Sequence, residues 1–160
     1  MAGRTFLGAK MAVCATLPTT FDDHATTGYP SLTWVEFCAD AIPALKKTFQ
    51  TVEKTTTCSE LDKDLKGSAK YDAATFNFDP GDSSAAAAIL KSHFDGASKN
   101  AELAFKVIFS KRAGETTPEV KYTTVLVGGY ADSNGGDKNT VDLKEVSLWI
   151  QREIVTVDAA

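Results

Sequence analysis

Only one stretch of this 160-residue chain has helical periodicity, and strand-like sequence flanks it on both sides. In Ala85-Ala86-Ala87-Ala88-Ile89-Leu90 and on to Phe94, the apolar residues Ala86, Ile89, Leu90 and Phe94 recur at i, i+3, i+4 and i+8, the spacing of a helix laid on a sheet. Pro80-Gly81 ends the preceding segment, Asp82 or Ser83 can cap the first turn, and Gly96 supplies a stop, so the pattern predicts one α-helix over about residues 83–95. His93 is expected beside its apolar face as a packing or capping residue. One helix between runs of strands cannot build the alternating βαβ units of a parallel sheet. The predicted class is mainly β, a two-sheet β-sandwich or small barrel with one flanking α-helix, folding as a single domain over residues 1–160.

Strand patterns fill the rest. Residues 4–17 are short, apolar or β-prone and close on Pro18, as one or two edge-capable strands would, and residues 19–30 read as loop. In residues 31–38, Leu32 and Trp34 fall on one face while Val35 and Phe37 fall on the other, so both faces must meet apolar neighbours. Residues 42–52 are β-compatible around Pro43, and residues 71–79 resume a strand. Between these, residues 53–68 turn polar and charged and predict a long exposed loop, in which Leu61 and Leu65 mark a segment that orders on a partner.

After the helix, Leu103, Phe105, Val107 and Phe109 alternate with polar or smaller residues. A turn-rich connection over 111–118 leads into an antiparallel return over 120–127, which Gly128-Gly129 breaks. Residues 140–157 are too long for one strand. Their alternation inverts near Lys144-Glu145 and again near Ile154-Val155, which predicts bulges that bend the segment across two sheets.

The chemistry-bearing residues are sparse. Cys14, Cys38 and Cys58 are odd in number and widely spaced, without a CxxC and with only His24 and His93 as nitrogen partners, so they are expected to be reduced, buried or half-buried thiols. Gly128-Gly129 and Gly135-Gly136 lack the strand-to-helix setting of a nucleotide loop. The chain is therefore expected not to be an enzyme and to need no cofactor or metal. Seventeen Lys and Arg against 21 Asp and Glu give a net charge of −4, and the basic residues cluster only as the pairs Lys46-Lys47 and Lys111-Arg112, so the stripe that grips phosphates is missing. Gly8 and Lys10 break the apolar run of residues 6–17, which is too short for a membrane span. Arg4 and Ala12-Val13-Cys14 faintly suggest a lipoprotein leader, but Lys10 splits the run and Val13 is too large before the cysteine.

Read in order, Ala15-Thr16-Leu17-Pro18-Thr19-Thr20-Phe21-Asp22, Gly28-Tyr29 and Leu32-Thr33-Trp34-Val35-Glu36 resemble the opening of tail tube proteins (major tail proteins) from lambda-like siphophages. Lys66-Gly67-Ser68 sits where that family closes its long loop, and Asp79-Pro80-Gly81-Asp82 leads into an Ala-rich helix as theirs does. Glu153-Ile154-Val155-Thr156-Val157 forms a similar acidic β ending. The sequence departs from the pattern in a longer polar insert at residues 22–27 and in carrying Pro43 and alanines where relatives cross with glycines.

The resemblance implies a structural subunit of the bacteriophage tail tube, related to the tubes of contractile tails and type VI secretion. Six copies would close a ring and rings would stack around a lumen that passes DNA during ejection. Its partners would be further copies of itself, the tape measure, the tail terminator and the baseplate or tip hub, with no membrane. The particle would be a virion assembled in the host cytoplasm. A lumen wall of carboxylates repels phosphate within about 8 Å at physiological salt, so DNA would pass without specific binding. In this frame Thr55, Thr56, Thr57, Cys58, Ser59, Glu60, Leu61, Asp62, Lys63, Asp64, Leu65 and Lys66 are candidates for contact between rings. Trp34, Val35 and Phe37 are candidates within a ring, as is Trp149, which lies on an otherwise polar face with Glu145, Ser147, Gln151 and Glu153. Glu145, Gln151 and Glu153 are the lumen candidates. Two other readings keep much of the pattern: a tube protein like that of type VI secretion, and a monomeric Ig-like binding or decoration domain, although the Cys-Trp-Cys core of the latter is missing.

Overall fold

The computed structural model describes the chain except residues 1, 2, 59, 60, 62, 97–100 and 134. Strands β1 (Lys10–Cys14), β2 (Val35–Phe37), β5 (Ala74–Phe78), β6 (Leu103–Ile108), β7 (Val120–Asp132), β8 (Lys144–Ile150) and β9 (Val155–Val157) form one antiparallel sheet. Its order is β2-β1-β6-β7-β8-β5, with β9 also paired to β7. Strands β3 (Lys47–Lys54) and β4 (Lys63–Tyr71) form a separate two-stranded ladder. The helix α1 spans Ser84–Asp95, preceded by Ser83 and ended at Gly96, as its sequence predicts.

The large sheet curls until its two edges meet. Phe37 of β2 lies 5.5 Å and 5.6 Å, centroid to centroid, from Phe76 and Phe78 of β5. Just past β2, the Asp40 amide donates to the Asn77 carbonyl at 3.0 Å, and Asp40 Oδ1 accepts from the Asn77 amide at 3.1 Å. Side chains and one loop therefore seal the seam, and among the described residues no strand pairing closes a barrel.

α1 packs against β7, β1 and β2, and its Ala86, Ala87 and Leu90 join the core made by Met11, Val13, Phe37, Phe76, Phe105 and Leu148. Ile89 packs at the margin of this core, but Phe94, the last member of the predicted stripe, stays 43 % exposed. His93 Nδ1 sits 3.0 Å from the Ile89 carbonyl, a contact within the helix.

A second apolar cluster covers the other face of the sheet. Tyr29 is fully buried and stacks on Tyr122 at 5.4 Å, and Trp34 lies tilted on the same ring while its Nε1 donates to the Tyr29 carbonyl at 3.0 Å. The residues that carry the resemblance build this buckle. Thr20 Oγ1 and the His24 amide both donate to Asp22 Oδ1, at 2.8 Å and 3.1 Å. The chain then returns so closely that a Cβ on Gly28 would stand 2.4 Å from the Asp22 carbonyl oxygen, which is why glycine precedes Tyr29. Burial pushes the Tyr29 phenol up to about 12, and its hydroxyl has no hydrogen-bond partner among the described residues.

Several expected boundaries move. Gly128-Gly129 does not end the strand before them: β7 runs through to Asp132, with a bulge between Val127 and Gly129. Residues 140–157 are not one bent strand crossing two sheets. They break into β8 and β9, which lie along the same edge of β7, pairing at Val125–Asp132 and Val120–Tyr122. The break is fastened where the Gln151 amide donates to the Thr124 carbonyl at 2.9 Å and the buried Thr123 hydroxyl donates to the Arg152 carbonyl at 2.8 Å. Residues 4–17 yield only β1, an inner strand between β2 and β6.

Candidate assembly surface

The described residues of 53–68 are exposed as predicted, apart from the partly covered Gly67, yet most of them are strand and not loop. Glu53 and Lys54 finish β3, while Lys63 to Ser68 belong to β4, and residues 55–58 and 61 lie at the tip between them. Thr55, Thr56, Thr57, Cys58 and Leu61 lie in that tip; Ser59, Glu60 and Asp62 fall outside the described residues. Lys63, Asp64, Leu65 and Lys66 pair with Lys54, Glu53, Val52 and Thr51. The sequence hid these strands because both sides of the ribbon face water, which removes the wet and dry alternation that identifies a half-buried strand.

The ribbon carries an apolar load without a core of its own. Val52 and Leu65 are paired directly across the ladder at 49 % exposure each, Phe49 is also exposed, and Leu61 stands out at the tip. The Nζ atoms of Lys66 and Lys47 lie 4.8 Å and 5.5 Å from the Phe49 ring centroid and cover part of it. An isolated two-stranded hairpin is marginal in water and gains stability when a partner covers it.

Its attachment to the body converges on one carboxylate. Glu153 Oε1 accepts from Lys47 Nζ at 2.5 Å, and Oε2 accepts from the Tyr71 hydroxyl at 2.8 Å. The Tyr71 oxygen also receives the Ile154 amide at 3.4 Å. The hydrogen bonds from Lys47 and Tyr71 hold Glu153 below the usual carboxylate range, and the bond to Glu153 holds Lys47 above the usual amine range. Tyr71 is raised by burial and then by the same carboxylate. A cleft of about 770 Å³ opens beside this contact between residues 69–73 and 149–153.

The other candidates separate. Trp34 and Phe37 were expected at a subunit boundary because apolar residues face both ways, but the chain meets both faces itself. Phe37 is buried in the main core with Val35 against it, and Trp34 is held by Tyr29 and Tyr122. Trp149, by contrast, is 52 % exposed on the polar face of β8. Its indole lies on the β7 bulge, where a Cβ on Gly128 would come within 2.2 Å of the ring. Gly128→Ala is expected to drive the indole into water at a cost of about 1 kcal/mol. In a Trp34→Phe background this reads as a red shift of the remaining tryptophan emission, and an unshifted spectrum would refute the cradle. Glu145 and Gln151 are exposed on the same polar face. Glu153 is exposed too, but it is bonded to the ribbon and is not a free wall charge. Its role was not legible, since Lys47 lies 106 residues away.

Cys14 is buried, whereas Cys38 and Cys58 are exposed rather than half-buried. Among the described residues no helix is long and apolar enough to cross a membrane.

No protein-family model matches the sequence, and no curated protein matches it. Its fold is nevertheless shared with solved assemblies. The fold is that of chains from contractile injection systems. A chain of the anti-feeding prophage baseplate superposes with a TM-score of 0.68 over 99 % of this chain and 95 % of its own length, at 9 % identity. A chain of the sheath/tube terminator of the extracellular contractile injection system PVC gives 0.62 over 93 % and 92 %, at 12 % identity. A chain of the PVC sheath-tube complex gives 0.61 over 94 % and 88 %, also at 12 % identity. The coverage spans the curled sheet and its projecting ribbon as one unit.

Proposed function

We propose that this chain is a non-catalytic structural subunit of a phage-tail-like tube, in which copies close into hexameric rings and the β3–β4 ribbon of one ring docks on the next. The observation that carries the reading is the end-to-end likeness to chains of contractile injection assemblies, nearly complete for both partners. The exposed Phe49, Val52, Leu61 and Leu65 supply a surface that such docking would cover. The polar face bearing Glu145, Trp149 and Gln151 is the candidate lumen or ring-contact surface, and tape-measure, terminator and baseplate proteins are the expected partners.

Two settings share this architecture. In a siphophage virion the tube would conduct DNA, whereas in an injection or type VI-like machine it would conduct protein. The likeness to chains of contractile injection systems favours the second setting, and the ordered motifs of the N-terminal half favour the first. Negative-stain microscopy of the purified chain, raised in concentration, is expected to show rings or stacked rings. Only monomers, with a monomer mass in sedimentation, would overturn the proposal in favour of a decoration domain. Without a basic stripe and with a net charge of −4, the protein is expected not to retain duplex DNA at physiological salt. Submicromolar binding in a filter assay would refute the repulsive lumen.

A further inference from the structure

We propose that Glu153 is a positioning residue that latches the β3–β4 ribbon at one angle to the sheet, so that neutralising this one carboxylate frees the ribbon to swing into the cleft beside Trp149. The geometry is that of a hinge pin. Lys47 opens β3, Tyr71 closes β4, and the two are direct partners in the ladder, so one carboxylate grips both strands at their shared base. Among the described residues, the main packing partner of β3 and β4 beyond this base is each other.

The body side of the latch is held firmly. Glu153 stands in the break between β8 and β9, where the Thr124 carbonyl and the Thr123 hydroxyl bind the backbone of its two predecessors. Arg152 is fixed in turn, with Nε donating to Glu102 at 3.2 Å and its guanidinium 3.6 Å above the Phe21 ring. Arg152 is therefore engaged away from Glu153, and Lys47 and Tyr71 are the ionisable groups bonded to that carboxylate. A carboxylate on anchored backbone thus faces a ribbon roughly 25 Å long at about 3.3 Å per residue, for which a tilt of about 10° at the base moves the tip by about 4 Å. The cleft, lined by residues 69–73 and 149–153, supplies the room for that tilt.

An exposed ion pair contributes little to global stability, so the latch acts on orientation and not on folding. The ribbon's angle matters for docking only if the tube reading holds, but the angle itself is a property of the single subunit and is measured there.

Cys38 on the body and Cys58 at the ribbon tip are exposed, while Cys14 is buried, which makes the first two a native labelling pair. Pulsed dipolar spectroscopy on the spin-labelled, unassembled subunit is expected to give one narrow distance distribution. Glu153→Gln and Lys47→Met should each broaden or shift it by several ångströms while the melting temperature changes by less than about 2 °C. The charge exchange Glu153→Lys with Lys47→Glu should restore the narrow distribution. An unchanged distribution in Glu153→Gln overturns the latch, and so does a charge exchange that fails to restore it. Failure of the parent chain to form rings would refute the tube reading and leave this result standing.

Discussion

A chain in which residues 55–66 are replaced by a short Gly-Ser linker is expected to fold and melt cooperatively but to form no tubes. The described residues of this segment are all exposed, so its removal takes nothing from either apolar cluster. Shortening a surface loop changes closure entropy by only about 0.6 kcal/mol per halving of length, and the two-stranded ladder does not support the sheet. What is lost is Leu61, Leu65 and the outer half of the ladder, including the partner of Val52. Circular dichroism and thermal melting check the first half of the expectation, with a shift of no more than a few degrees. Electron microscopy checks the second, where the yield of tubes should fall to none. Tubes as abundant as those of the parent would show that the ribbon does not stack rings. An unfolded variant would show that the ribbon belongs to the core.

Phe105→Ala is expected to do the reverse and damage the subunit before any assembly is considered. Phe105 is fully buried on β6, between Val13 of β1 and Thr123 of β7, and faces the cluster that holds α1 against the sheet. Deleting a buried phenyl ring costs about 3–5 kcal/mol, because the cavity adds to the lost transfer energy. That is a large share of the roughly 5–15 kcal/mol that holds a domain together. At about 2–4 °C per kcal/mol for a chain of this size, the melting temperature should fall by about 6–20 °C. A shift below about 3 °C would mean that the core collapses around the gap and that α1 is not held as the structure indicates. Trp149→Ala, on the wet face of the same sheet, is the matched comparison and should move the melt far less.

Some of this architecture is written in local pattern. The helix announced itself through alanine-rich periodicity between Pro80-Gly81 and Gly96, and β6 through strict alternation over Leu103, Phe105 and Val107. The segment over residues 31–38 is covered by apolar neighbours on two sides, as its pattern implies, but only Val35–Phe37 of it is strand, with Leu32 and Trp34 in the chain that leads into it. A second error concerned what covers it, because the buckle that brings Tyr29 over Tyr122 is built from loop residues with no periodicity to report. The C-terminal segment shows the same limit. Its inversions of pattern marked real discontinuities near Lys144 and Val155, but whether an inversion is a bulge or a break depends on the partner strand, here β7.

The sequence by itself determined the β class, the place of the helix, the core residues of β6, the polar face of β8, and the absence of a basic stripe. These follow from hydrophobic period and charge, which depend only on near neighbours. Only the tertiary structure decided that most of the described residues of 53–68 are strand, that Phe37 is core, and that Glu153 ties the ribbon to the sheet. A ribbon wet on both sides leaves no alternating signal, and a contact spanning 106 residues is set by how the whole sheet curls.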